Sequence, residues 1–342
     1  MRSVVLSFRA LRLLVVTGLL IIGMTPLAAY AQTQAHIFKA TFKENIVPTP
    51  SAFDQLHGGM IRESDGGFWF TESAANKIAR FSSAAGTFRE YQLLTPGAIP
   101  SGIARSADGS IWFTENGVDK IGRITTNGVI NEFPAPAGFK RPYAITLGPD
   151  KALWFTDQFS NVIGRITPSG ATTSFTLPLV AGGSPGSNNI ISGPDGALWF
   201  TMKQGYIGRI TTSGVSSFDK VPTAGSDPFG LALGADRNIW FTEHDSNRIG
   251  RLNPWNGFMT EFPIPTAHSG PADIVNLGNC YMAFTEEDGS QIGYLSLTGE
   301  VTEFPTKTFN AQPLAIVASG YGVNCATETS SSANKIACFT VK

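Results

Sequence analysis

Trp112 to Ile124 reads WFTENGVDKIGRI, and near-copies of this stretch run the length of the chain. Aligned on its threonine, they fall at Thr71, Thr114, Thr156, Thr201, Thr242, Thr285 and Thr327, in steps of 43, 42, 45, 41, 43 and 42 residues. A period of roughly 40 to 45 residues, filled by short strands and Gly-rich turns, is that of a propeller blade rather than of a helical solenoid. Each unit reads as four strands. In the second, Ser101–Arg105 is the first strand, and Ile111–Glu115 is the second, after a tight Ala-Asp-Gly turn. Lys120–Thr125 is the third, and Val129–Pro134 is the fourth, after the hairpin dipeptide Asn127-Gly128. The expected fold is all-β: a seven-bladed β-propeller of four-stranded antiparallel blades.

The copies vary together. An Arg follows the Trp by eleven residues in Trp69/Arg80, Trp112/Arg123, Trp154/Arg165 and Trp240/Arg251, and by ten in Trp199/Arg209. If the second and third strands form a hairpin, these positions face each other, and a guanidinium stacked on an indole contributes roughly 0.5 to 1 kcal/mol. Where the Trp is lost its partner changes too: Ala283 faces Tyr294, and Cys325 faces Cys338. A cross-strand disulfide between Cys325 and Cys338 is expected, with Cys280 free in a turn.

The ends of the chain carry separate signals. Arg2, Arg9 and Arg12, the apolar run Leu13–Met24 and the small-residue site Ala29-Tyr30-Ala31 make residues 1–31 a secretory signal peptide. The run is shorter than the ~18 residues a membrane-spanning helix needs. Residues 32–342 then form a single domain, periplasmic or secreted and monomeric, with no membrane association after cleavage. The seventh unit stops after its third strand, whereas His36 to Val47 resembles a fourth strand placed before the first unit. The N-terminal segment is therefore expected to complete the last blade and close the ring. Removing the three signal-peptide arginines from 25 basic residues leaves 22 against 26 acidic, a net charge of −4. That is too mild, and of the wrong sign, for a nucleic-acid partner.

In a propeller the first strands line the central channel, and the second strands end on the face where the first begin. An acidic residue follows the repeated threonine there: Glu72, Glu115, Asp157, Glu243, Glu286 and Glu328, with Met202 the exception. A position that recurs in nearly every blade reads as frame, accepting hydrogen bonds from loops or pairing with Lys77, Lys120, Arg248 or Lys335. The alternative is that Glu243, Glu286 and Glu328 ligate Mg²⁺ or Ca²⁺, for which hard oxygen donors suit. His244 and His268 lie near those blades as candidate general bases, and His57 is a weaker candidate. At the blade entries Tyr143, Asn188, Phe229 and Asp273 suit recognition of a small molecule or peptide-like ligand at the channel mouth. No nucleophile elbow, phosphate loop or zinc spacing occurs.

The units Gly193 to Thr201, Lys120 to Thr126 and Val129 to Pro136 resemble those of the virginiamycin B lyase, or streptogramin lyase, family of seven-bladed propellers, and the resemblance covers essentially all of residues 32–342. It implies a magnesium-assisted carbon–oxygen elimination that opens a cyclic depsipeptide at its threonyl ester. A base would remove the proton alpha to the carbonyl while the metal stabilises the developing enolate. In that family, histidines open the first strands of the last two blades, and a metal-binding Glu follows the second strand of the last. Here the sixth blade opens Gly270-Pro-Ala-Asp-Ile274 and the seventh Gln312-Pro-Leu-Ala-Ile316. Ala272 and Leu314 thus stand at the histidine positions, Gln312 at that of an acidic neighbour, and Glu328 near that of the metal ligand. The expectation is a lyase-family propeller whose base, if it has one, is His268 or His244. The alternatives are a non-catalytic ligand- or protein-binding propeller and a metal-dependent lactonase-type hydrolase.

Overall fold

In the second blade, strands Pro100–Arg105, Ile111–Glu115, Lys120–Ile124 and Ile130–Pro134 form an antiparallel sheet in sequence order. Five other blades repeat the pattern, and the seventh takes its fourth strand from the start of the propeller, giving seven four-stranded sheets. The computed structural model describes residues 38–54, 58–125, 127–180, 186–278, 280–318 and 322–342; the segment read as a signal peptide, 1–31, and His36 and His57 lie outside them. Contacts divide the chain into Ala40–Val341, which is the propeller, and a second unit of residues 1–39 with Lys342.

The repeated residues have distinct mechanical roles. On the second strand every side chain from Ile111 to Glu115 is buried, because the two sheet faces pack on the two neighbouring blades. Trp112 packs with Leu153 and Phe155 of the third blade, so the core is built between blades rather than within them. Phe113 stands directly opposite Gly122 of the third strand. A Cβ on Gly122 would lie 2.0 Å from the Phe113 ring, which explains the glycine of the repeated Ile-Gly-Arg. Each Trp does face its Arg: Trp69–Arg80, Trp112–Arg123, Trp154–Arg165, Trp199–Arg209 and Trp240–Arg251 are cross-strand pairs.

Stacking is only part of what those arginines do. Arg123 and Arg251 lie 5.5 and 5.4 Å from the Trp112 and Trp240 rings. Arg165 and Arg209 instead bond Asp150 and Asp195, and the same aspartates accept the indole N–H of Trp154 and Trp199. The fourth strand supplies an aromatic ring against Trp112, Trp154 and Trp240, from Phe133, Phe175 and Phe262, at 5.2 to 5.6 Å.

Ala40–Ile46 pairs antiparallel with Lys335–Val341, Ala40 opposite Val341 and Ile46 opposite Lys335. It is the outermost strand of the seventh blade, as expected, and joins the two ends of the ring. Inside that blade Cys325 faces Cys338 and the two are disulfide-bonded, while Cys280 is free and exposed.

Candidate functional site

The repeated threonine fixes the channel wall. Thr114 Oγ1 accepts the Gly102 N–H of its own blade and donates to the Tyr143 carbonyl of the next. Thr201 donates likewise to Phe229, Thr242 to Ala272 and Thr285 to Leu314. Each blade therefore holds the entry residue of its neighbour in place. Glycine permits the close approach: a Cβ on Gly230 would meet the Ala272 carbonyl oxygen at 2.4 Å.

All seven first strands enclose a channel cavity of about 260 Å³, lined by Tyr143, Asn188, Phe229 and Asp273 among others. Tyr143 and Phe229 meet edge to face at 6.3 Å. Burial pushes the Tyr143 hydroxyl's pKa upward. Burial also raises Asp273 to about 6, against the opposing effect of the Ile316 and Ile274 N–H groups that its carboxylate accepts. By bonding Ile316, Asp273 ties the sixth blade to the seventh.

A second cavity of about 390 Å³ adjoins the first, sharing Phe229 and Leu314, on the face where second strands end. Its rim changes sign around the ring. Arg141 of the third blade and Lys203 of the fourth lie 5.3 and 5.5 Å from the Phe159 ring. Asp227 and His244 of the fifth blade and Glu287 and Asp288 of the sixth supply the other side. His244 Nδ1 is 3.0 Å from Asp245 Oδ1, and its Nε2 is 4.0 Å from Glu287 Oε2. Burial raises Glu287 to about 7, opposed by the nearby imidazole. Burial also raises Asp227, and Asp245 adds to the rise.

A family model for virginiamycin B lyases matches residues 35–186 and 180–342. The chain belongs to the virginiamycin B lyase family. Virginiamycin B lyase from Staphylococcus aureus superposes with a TM-score of 0.82 at 35% identity, covering 88% of this chain and 99% of that one. A catalytically inactive histidine-to-alanine variant of that enzyme, with quinupristin, matches equally well. A streptogramin B lyase structure gives 0.81 at 32% identity, over 89% and 98% of the two chains. Virginiamycin B lyase from Nocardia farcinica is 36% identical over 87 residues, a stretch spanning 30% of that relative.

At the positions where the family resemblance places histidines, Ala272 is fully buried and Leu314 lines both cavities. His244 reaches the second cavity with its side chain 30% exposed. His268 is exposed on the loop entering the sixth blade, at φ 54°, and lines neither cavity.

Glu72, Glu115, Glu243, Glu286 and Glu328 are fully buried, each within its own blade. The lysines opposite three of them form ion pairs elsewhere. Lys77 bonds Glu90, Lys120 bonds Glu132 and Lys335 bonds Glu44, all fourth-strand residues, at 2.7, 2.9 and 2.8 Å. Those same glutamates accept hydrogen bonds from loop threonines, as Glu132 does from Thr95. Desolvation beneath this clamp raises Glu72, Glu115 and Glu286 to about 8, and Glu243 and Glu328 to about 7. Asp157 is bonded to four backbone N–H groups, of Lys140, Arg141, Phe159 and Ser160. Among the described residues Glu243, Glu286 and Glu328 do not gather into a common set of metal-ligating atoms, whereas Asp227, His244 and Asp245 do.

The rim residues missed from the sequence follow a rule. Gln158, Lys203 and Glu287, like His244, each come directly after the motif's acidic position, and that next position differs in every blade: Ser73, Asn116, Gln158, Lys203, His244, Glu287 and Thr329. Variation inside an otherwise repeated motif was the available signal.

Proposed function

We propose that this propeller binds a small, peptide-like molecule at the channel mouth and does not run its family's elimination from the family's own positions. The observation that carries the reading is Leu314, an alkyl side chain on the floor shared by both cavities, where the resemblance requires a proton acceptor. The Staphylococcus aureus relative is inactive with a single histidine changed to alanine, and this chain has Ala272 and Leu314 at both histidine positions. Glu328, at the metal position, is buried beside Glu44 and Lys335, so the residues present do not fit the family's magnesium site. An apolar floor of Phe229 and Leu314, with cations on one side and carboxylates on the other, suits an amphipathic ligand that carries both polar and aromatic groups. The Cys325–Cys338 disulfide supports work in an oxidising, extracytoplasmic compartment.

Incubation with quinupristin, followed by chromatography and mass spectrometry, tests the reading. Elimination yields a ring-opened isomer of unchanged mass, whereas a lactonase-type reaction adds one water. The expected result is an intact ring, with binding visible as a raised melting temperature. Turnover to the isomer at a rate comparable to a family enzyme would overturn the proposal.

A further inference from the structure

We infer that the fifth-blade rim of the mouth is a site for a divalent transition-metal ion, held by Asp227, His244 and Asp245, with Glu287 of the sixth blade beside it. One donor atom from each of the three lies within 4.8 Å of the others. Donors about 2.1 Å from one ion stand ~3.0 to 3.4 Å apart in cis-octahedral or tetrahedral geometry, so side-chain rotations that draw the atoms together by ~1 to 2 Å complete the set. An imidazole with two carboxylates suits Zn²⁺ or Mn²⁺ better than the all-oxygen shell preferred by Mg²⁺. This site lies in a different blade from Glu328, and none of its residues stands at a position that the family resemblance assigns to a metal.

Two further features favour a cation there. Three carboxylates, Asp227, Asp245 and Glu287, surround one imidazole, and besides that imidazole the opposing charge that reaches Asp227 comes from Lys203. Lys203 is exposed, with its ammonium 5.5 Å from the Phe159 ring. Independently, Asn188 is 1% exposed and lies against the cluster, its Nδ2 donating to Asp227 Oδ1 and to the Pro228 carbonyl. Its Oδ1 is buried and has no hydrogen-bond partner. A buried acceptor left unpaired is costly. With Nδ2 already on Asp227, a water held by an ion at that carboxylate would be a donor for this oxygen, and second-shell contacts of this kind orient metal ligands. The ion would border the cavity floored by Phe229 and Leu314, where it can meet a carbonyl or carboxylate of whatever occupies the mouth.

Equilibrium dialysis of the purified protein against Mn²⁺ or Zn²⁺, with bound metal counted by elemental analysis, tests the site without any organic ligand. Its outcome therefore stands apart from the quinupristin experiment. The expected result is one ion per chain, with affinity falling at least tenfold in His244→Gln and in Asp227→Asn and unchanged in Glu328→Gln. Asp245→Asn, on the exposed rim, serves if either of the first two fails to fold; it should weaken binding while leaving the metal-free melting curve unchanged. The absence of a stoichiometric ion at millimolar metal would overturn the inference. So would binding that survives His244→Gln but is lost in Glu328→Gln.

Discussion

Replacing Glu115 by Gln should stabilise the protein relative to the parent by an amount that grows as pH rises from about 4.5 to about 8. The carboxyl is fully buried, neither oxygen has a hydrogen-bond partner, and its pKa is raised from 4.5 to about 8. Desolvation is the main cause; Glu132 adds to it and Lys120 opposes it. Between those two values the folded chain keeps a proton that the unfolded chain releases. The stability this group contributes is therefore complete below about 4.5 and is lost as pH rises through about 8. One proton changes stability by about 1.4 kcal/mol per pH unit, so the loss across the window is on the order of 5 kcal/mol. The amide of the variant has no such proton to lose. Urea unfolding followed by tryptophan fluorescence, at several pH values between about 5 and 8, should show variant and parent diverging steadily. The other four buried glutamates titrate in both proteins and cancel in the difference. Parallel curves would refute the reasoning, because they would mean that the carboxylate is already ionised and paired in the folded blade.

Two further outcomes follow from the seventh blade. Changing both Cys325 and Cys338 to Ser should cost about 3 kcal/mol in chemical denaturation, the chain-entropy value for a loop of this length. Thiol labelling of the native parent should meanwhile find a single reactive cysteine, Cys280. Deleting Ala40–Ile46 leaves Lys335–Val341 as an open edge and should convert a monodisperse protein into aggregates visible by light scattering. A soluble deletion variant with an unchanged melting temperature would count against the latch.

The blades were legible because one residue period, one turn chemistry and one Trp–Arg spacing repeat together, each with a steric meaning that alternation along a strand exposes. The disulfide was legible for the same reason, as a substitution at a known cross-strand position. The chemistry of the mouth was harder to read. Alternation shows that Glu115 and Thr114 point to opposite faces, but not that both faces are covered by neighbouring blades. The acidic position reads as lying at the mouth, where the second strands end, and the structure buries it beneath the Lys120–Glu132–Thr95 clamp. The groups at the opening sit one residue further on, at His244 and Glu287, or in the entry loops, at Arg141 and Asp227. Those loops are the least repetitive parts of the chain, and period analysis passes over them.

Pairing Ala40–Ile46 with Lys335–Val341 also sets the order of events during synthesis. No ribosome can finish this ring early: the sheet that Ala40–Ile46 completes lacks the strand it pairs with until Lys335–Val341 has been translated. Until then Ala40–Ile46 lacks its native partner strand, and the pairing must close a separation of 291 residues, as between Asn45 and Ile336. The slowest folding step should accordingly be circularisation. It should slow when the polypeptide between the ends is lengthened and hasten when the two ends are tethered by a short linker.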